Sequence, residues 1–311
     1  LIEYLIELTE NAGAEVIFEK EITAPILLGN RVVGIELGDE KIYGDLVIDA
    51  CGVSSPIRSK LPEFLGINRP VGKYDIVHSY RAYFNRTDAP EPRYPYQLYL
   101  QKDGTIGFSW MITEIERTDA LICRFYNPDD NEILEELRDL QEKNPQMGTD
   151  MIYGGCRSVI PVCQPLGMLI ADGYAAIGDC AFMTIPVKGS GITYSFKAGK
   201  MLADCVLKDT DGFFDAESLW EYQRRFFKEI GFGACHLAIL KNILPYLKKE
   251  QVNELFRLKI INSNELKDIM TNTANTIFST KGIAAIRDKI KMAGNNSTIK
   301  DILSKMLYHI F

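Results

Sequence analysis

Positive charge is nowhere gathered in this sequence. Its 35 lysines and arginines are dispersed among 42 acids, giving a formal net charge of −7 over 311 residues. No Lys/Arg block offers a track for phosphates, so the chain reads as one with no nucleic-acid partner and a small-molecule ligand. Histidine is scarce: His78, His236 and His309 stand alone, none at ligand spacing, so no metal site is expected. The seven cysteines (Cys51, Cys123, Cys156, Cys163, Cys180, Cys205, Cys235) form no Cys-x-x-Cys pair and no disulfide framework, which fits a reducing cytoplasm. No apolar run approaches the ~20 residues that span a bilayer, and the N-terminus lacks the basic-then-apolar pattern of a signal peptide. Peripheral contact with a membrane surface stays open. Repeats and low-complexity tracts are absent as well.

What is present is apolar content: 46% hydrophobic residues can bury substantial cores, in two domains or one large one. Residues 1–13 carry a helical stripe (Leu1, Ile2, Leu5, Ile6, Leu8), and because the chain opens at Leu1 inside that stripe it reads as a piece of something longer. Residues 15–22, 31–37 and 41–50 read as strands around a Gly29-Asn30 turn, the last one buried at 46–50. Four aromatic-rich alternating runs, 76–84, 96–100, 106–112 and 120–126, with a returning strand at 153–161, predict an antiparallel sheet. Between them lies a capped amphipathic helix at 129–143, with Ile133, Leu134, Leu137 and Leu140 inward and its charges solvated. Beyond Lys208 the pattern stays helical, over 218–230 and onward, with breaks near 231–233, Pro245, Asn262, Gly282 and 294–296. The apolar face of 234–247 is assigned to core packing, ahead of lipid or a second subunit.

The stretch that organises the chain is 173–204. A small-residue strand at 174–177 delivers Asp179 to the carboxyl edge of a sheet, where open α/β folds bind ligands and a carboxylate can accept hydrogen bonds from sugar or ribityl hydroxyls. Pro186 and Gly189-Ser190-Gly191 then open a helix whose first N–H groups are unpaired and favour negative charge. Ile192, Phe196, Gly199, Ala203 and Val206 share one helix face, with Gly199 permitting close packing against the strand. Upstream, Asp49-Ala-Cys-Gly52 ends another strand at a point of close backbone approach. It is either a turn beside a dinucleotide or an ordinary strand-to-loop turn with a surface Arg58.

Residues 178–193 (Gly-Asp-Cys-Ala-Phe-Met-Thr-Ile-Pro-Val-Lys-Gly-Ser-Gly-Ile-Thr) and 49–58 (Asp-Ala-Cys-Gly-Val-Ser-Ser-Pro-Ile-Arg) together resemble the second and third FAD fingerprints of flavoproteins with the p-hydroxybenzoate hydroxylase fold. Within that group the chain is similar to the geranylgeranyl reductase family, which reduces isolated double bonds of isoprenoid lipids. Asp-Ala-x-Gly-x-x-Ser replaces the hydroxylases' Asp-Gly, Gly154-Gly155 precedes Ile160-Pro161, and Phe108-Ser-Trp110-Met-Ile112 resembles the Tyr-x-Trp-x-Phe-Pro motif of the substrate cavity. In that motif the family's Tyr, Phe and Pro are Phe108, Ile112 and Thr113, and the Gly-x-Gly-x-x-Gly of the first fingerprint does not occur.

The resemblance implies an α/β fold (α+β overall): a partial FAD-binding Rossmann-like domain, an inserted antiparallel β-sheet substrate domain and a C-terminal helical region. The implied boundaries are 1–68 and 161–209 for the FAD-binding parts, 69–160 for the sheet and 210–311 for the helices. It implies FAD as cofactor, held by Ile22 near the adenine, Asp179 at the ribityl chain, Pro186 by the ring, Gly191, Ile192 and Thr193 at the pyrimidine end, and Asp49, Gly52, Gly178, Gly189 and Ser190 elsewhere in the site. Phe108 and Trp110 would line a cavity for an apolar or lipid substrate. The electron donor would be a nicotinamide cofactor or a ferredoxin. A flavin monooxygenase and a non-catalytic remnant of the fold are the alternatives. Without the pyrophosphate loop, these 311 residues are expected to bind FAD weakly or not at all.

Overall fold

The structure is a computed structural model that describes residues 2–100, 107–186, 189–243, 248–257 and Ser297. In chain order its elements are α1 (Ile2–Asn11), β1 (Ala24–Leu28), β2 (Arg31–Leu37), β3 (Glu40–Tyr43), β4 (Val47–Asp49), β5 (Ile76–Arg86), β6 (Tyr96–Leu100), β7 (Gly107–Thr113), β8 (Arg117–Arg124), α2 (Asp130–Lys143), β9 (Met147–Pro161), β10 (Ile170–Ala171), β11 (Tyr174–Ala176), α3 (Ile192–Val206), α4 (Trp220–Phe226), α5 (Phe232–Ile243) and α6 (Lys249–Arg257). The expected breaks at Pro245, Asn262, Gly282 and 294–296 lie outside the described residues, as does His309.

Three sheets form. β1-β2-β3 is an antiparallel meander, and β10-β11-β4 is a small mixed sheet in which β11 runs parallel to β4 with Ala176 opposite Asp49. That pairing sets the two fingerprint stretches side by side, because both strands end at the same edge. The third sheet is antiparallel in the order β6-β7-β8-β5-β9. Its β5–β9 ladder carries bulges near Gly154 and Gly155, both at positive φ, and a Cβ on Gly154 would fall 2.9 Å from the Arg81 carbonyl oxygen. Only glycine fits that close approach.

The main core joins β11, α3 and α4 to the loop after β4, through Ile57, Leu61, Tyr174, Phe182, Met201, Leu202, Tyr222 and Phe226. A second core lies between α2 and one face of the antiparallel sheet, built from Ala82, Phe84, Met111, Ile122, Ile133, Leu137 and Leu140. α2 is capped, as expected, and the cap is a capping box: Asp129 accepts from the Glu132 N–H at 2.9 Å, and Glu132 accepts from the Asp129 N–H at 2.9 Å.

Several expectations are corrected. Residues 15–22 form no strand: they have no ladder partner, Ile17 and Phe18 are exposed and Glu19 has φ +57°. Alternating apolarity makes a strand only where a neighbour completes its hydrogen bonds. On β4, Ile48 is exposed, so that strand is buried on one face only. On α2, Leu134 is exposed and Glu136 is buried in its place, held by Arg124 at 3.0 Å, so the charges of this helix are not all solvated. Gly231 is not a break: Phe227–Gly231 form a π-helical turn that carries α4 directly into α5. Ala234, Leu237 and Ala238 of α5 are buried, which is the expected core use.

Candidate functional site

Asp49, at the end of β4, is fully buried, and its carboxylate is used internally. It accepts from the Ser55 hydroxyl at 2.5 Å, the Tyr174 hydroxyl at 2.9 Å and the Cys51 N–H at 3.0 Å. The Cys180 thiol donates to the Asp49 carbonyl oxygen at 2.9 Å. Asp49 is therefore a keystone that ties the loop after β4 to β11 and to the turn beyond it. Burial, reinforced by this carboxylate, pushes the Cys51 thiol up to about 12 and raises Tyr174 and Cys180 as well. Nearby, Gly52 has φ +77° with open space where a Cβ would stand, so the backbone is bare toward its surroundings.

Asp179 is the opposite case. It sits in a 3₁₀ turn, Gly178–Ala181, immediately after β11, with Gly178 at φ +69°. Its carboxylate is half-buried, burial alone raises its pKa, and it accepts no hydrogen bond among the described residues. A half-buried carboxylate without donors is costly unless something else supplies them. Facing it is Gly191, the N-cap of α3, where a Cβ would lie 3.1 Å from Asp179 Oδ1 and 2.9 Å from Thr184 Cγ2. The first intrahelical bond of α3 runs from Ser195 N–H to Gly191 O at 2.9 Å, so the N–H groups of Ile192 and Thr193 precede it. Both residues are exposed.

The loop between them is closed on itself. Ile185 and Ser190 form an isolated bridge, and the Gly189 N–H donates to Ile185 O at 2.8 Å. Pro186 is buried within it. Gly189, at φ +65°, presses on the antiparallel sheet, since a Cβ there would lie 3.2 Å from Ile160 Cγ2. The Thr184 hydroxyl also donates to Pro161 O. The sheet face under this loop is the one opposite α2. It carries Val77, Leu121 and Cys123, with Phe108, Trp110 and Ile160 packed against them. Phe108 and Trp110 have ring centroids 6.2 Å apart, and Trp110 Nε1 is buried without a hydrogen-bond partner among the described residues. Ile22 is half-buried in the stretch before β1 and packed on the main core.

One sequence expectation is overturned here, and the surface Arg58 of one open alternative is not found. α3 buries Tyr194, Ala198, Met201, Leu202 and Cys205, while Ile192 and Phe196 of the predicted face are exposed and a Cβ on Gly199 would meet nothing within 4 Å. Gly199 is thus not a close-packing residue. Arg58 is not on the surface: it is buried, with Nη1 donating to Arg69 O at 2.8 Å and Nη2 to Val53 O at 2.5 Å. Its guanidinium stacks over Phe182 at 4.7 Å, and that of Arg69 at 5.4 Å. Phe182 has φ +57°, a conformation that costs a non-glycine residue about 1–2 kcal/mol, comparable to what a desolvated cation–π contact returns. Sequence reading gave Tyr174 and Phe182 no role, and carried Ser55 and Ile160 only as parts of the resembling motifs. Of these, Tyr174 left a signal, as a single hydroxyl in an otherwise small, apolar strand.

No family model matches the chain. Among curated proteins it is similar to digeranylgeranylglycerophospholipid reductases: 24% identical over 256 residues to that of Sulfolobus acidocaldarius, covering 80% of this chain and 56% of the relative, and 27% identical over 221 residues to that of Haloferax volcanii, covering 64% and 52%. Reductase 2 of Methanococcoides burtonii is 26% identical over 296 residues, 90% of this chain and 70% of the relative. These relatives bear out the resemblance to the geranylgeranyl reductase family. It spans about half the length of the first two relatives. A geranylgeranyl bacteriochlorophyll reductase-like protein of Thermoplasma acidophilum shares its fold at a TM-score of 0.70 with 18% identity, over 97% of this chain and 73% of the other. A myxobacterial chondrochloren halogenase, a variant of the FAD-dependent halogenases, has a TM-score of 0.56 at 17% identity, over 92% and 72%. The fold is thus the α/β fold of FAD-dependent oxidoreductases.

No helix among the described residues is long and apolar enough to cross a membrane, and no group of three or more potential ligands gathers among them to hold a metal ion.

Proposed function

We propose that the chain forms the flavin-ring and ribityl end of an FAD site in a reductase that saturates carbon–carbon double bonds of an isoprenoid lipid. The observation that carries the reading is Asp179: a half-buried carboxylate lacking donors, opposite Gly191, at the open N-terminus of α3. These residues fit the cofactor. Asp179 would accept from ribityl hydroxyls, the Ile192 and Thr193 N–H groups would meet the pyrimidine edge, and Gly52 would let the backbone approach closely. Bound flavin, once reduced, supplies hydride; the protein supplies binding, orientation and charge stabilisation.

The chain's own residues account for the rest. The unpaired N–H groups and the dipole of α3 favour negative charge beside them. Gly189 brings its loop onto Ile160, so a substrate on the sheet face would lie against Phe108, Trp110 and Leu121, which exclude water. We assign 1–68 and 161–209 to the cofactor unit and 69–160 to the substrate sheet; of the 210–311 unit expected to be helical, most beyond Arg257 lies outside the described residues. The substrate is an apolar isoprenoid lipid, and the electron donor a nicotinamide cofactor or a ferredoxin.

The test is an anaerobic assay of the full chain with dithionite-reduced FAD and an unsaturated isoprenoid phospholipid, read by mass spectrometry. A gain of two hydrogens per reduced bond is expected. Oxygen-dependent hydroxylation of an aromatic compound without lipid saturation would instead favour the monooxygenase alternative. If the chain binds no flavin under any of these conditions, it is a non-catalytic relative.

A further inference from the structure

Among the described residues only Glu19, Phe182 and Phe214 combine a side chain with positive φ, and Phe182 alone of the three is fully buried. Its place is specific. The Phe182 N–H donates to Asp179 O at 3.1 Å and the Met183 N–H to Gly178 O at 3.0 Å, so the left-handed residue closes the turn that presents Asp179. A strained, buried conformation persists only where its surroundings over-determine it.

Its surroundings are the apolar main core and, over its ring, two arginines. Arg58 and Arg69 both lie over the Phe182 ring, and Arg58 Nη1 donates to the Arg69 carbonyl oxygen. Each arginine is anchored in a different segment. The Arg58 N–H donates to Ser55 Oγ, itself bonded to Asp49, so Arg58 belongs to the loop after β4. Arg69 Nη2 reaches Asp75 Oδ2 at 3.0 Å and Nη1 reaches Gln164 O at 3.1 Å, which fixes the connector entering β5. No carboxylate pairs directly with Arg58 among the described residues, and its Nε is buried without a partner there. Its contacts are carbonyl oxygens and the ring.

We infer that Arg58 and Arg69 are positioning residues that act through Phe182. Stacked on its ring, they hold the 178–183 turn left-handed and fix the Asp179 carboxylate toward Gly191 for a ribityl chain. The inference rests on the cofactor reading above. It also makes the clamp a junction, since one ring links the loop after β4, the Asp179 turn and the entry to the antiparallel sheet.

The experiment uses the full chain and the variants Phe182→Leu, Arg58→Met and Arg58→Lys, with Ile133→Ala in the α2 core as a control for global destabilisation. Two quantities are read: hydrogen exchange of the amides at 179–183, and riboflavin affinity by fluorescence quenching. Phe182→Leu and Arg58→Met are expected to speed exchange at 179–183 and to raise the riboflavin Kd about tenfold, the factor equivalent to 1.4 kcal/mol. Arg58→Lys, which keeps the cation over the ring, is expected to recover most of both. Ile133→Ala should lower the melting temperature and leave both unchanged. If Arg58→Met fails to fold, Phe182→Leu and Arg58→Lys decide the matter. Wild-type exchange and Kd in Phe182→Leu, or losses reproduced by Ile133→Ala, would overturn the inference. A wild-type chain that quenches no flavin would overturn the cofactor reading, while exchange at 179–183 would still decide whether the clamp holds the turn.

Discussion

Arg124 and Glu136 meet at 3.0 Å between β8 and α2, both side chains less than a tenth exposed. Arg124 also donates to the Phe108 and Cys123 carbonyl oxygens and to Ser109 Oγ, so the pair nails the helix to the sheet beneath the Phe108–Trp110 strand. Two charges buried together gain little over apolar residues, but one left alone is expensive. Glu136→Ala is expected to destabilise the chain by about 3–5 kcal/mol in urea unfolding, whereas Arg124→Met with Glu136→Leu should recover most of that loss.

Asp179 carries a predicted trade-off. Its carboxylate is raised by burial and unanswered by donors, so Asp179→Asn should raise the melting temperature of the ligand-free chain. The same change should lower riboflavin affinity about tenfold, because an ionised acceptor makes the stronger hydrogen bond. A variant that melts lower and binds as well as wild type would contradict both halves.

Alkaline pH should unfold the chain early. Burial holds Cys163 up at about 11 and Cys123 at about 12, and raises Tyr174 and Cys180 further. The folded state keeps these protons while the unfolded chain releases them near the ordinary thiol and phenol values. The stability they confer is therefore complete below about pH 8 and is lost as pH rises through the folded values. Unfolding free energies from urea titrations should hold up to about pH 8 and then fall toward pH 11, by up to about 1.4 kcal/mol per pH unit for each such group.

Flavin selectivity should be flat. The sequence holds no Gly-x-Gly-x-x-Gly, the loop that grips a pyrophosphate, while in the function proposed above Asp179, Gly191 and the α3 N-terminus would meet only the ribityl chain and ring. Riboflavin, FMN and FAD are expected to bind this chain with dissociation constants within about threefold of one another, a spread of under 1 kcal/mol. Calorimetry showing FAD bound a hundredfold tighter than riboflavin would contradict this.

Much of this architecture is legible in the sequence because its signals are local. The α2 capping box follows from Asp129 and Glu132, and the four aromatic runs fall on β5 to β8. What stayed hidden depends on neighbours distant in sequence. α3 has two apolar stripes, and periodicity cannot say whether Ile192 and Phe196 or Tyr194, Ala198 and Met201 meet the core. Arg58 looks like a surface residue until Phe182 and Arg69 close over it. Leu134 and Glu136 exchange their expected places because Arg124 stands opposite one of them.

The π-helical turn at Phe227–Gly231 has a consequence for phase. Phe226 and Ala234, eight positions apart, would point about 80° away from each other on an uninterrupted helix at about 100° per residue. Absorbing one residue in the wider turn brings them within about 20°, so Tyr222 and Phe226 before it and Ala234, Leu237 and Lys241 after it are buried along one wall. The surplus residue works like a leap day: the count runs one over, and the calendar on either side stays aligned.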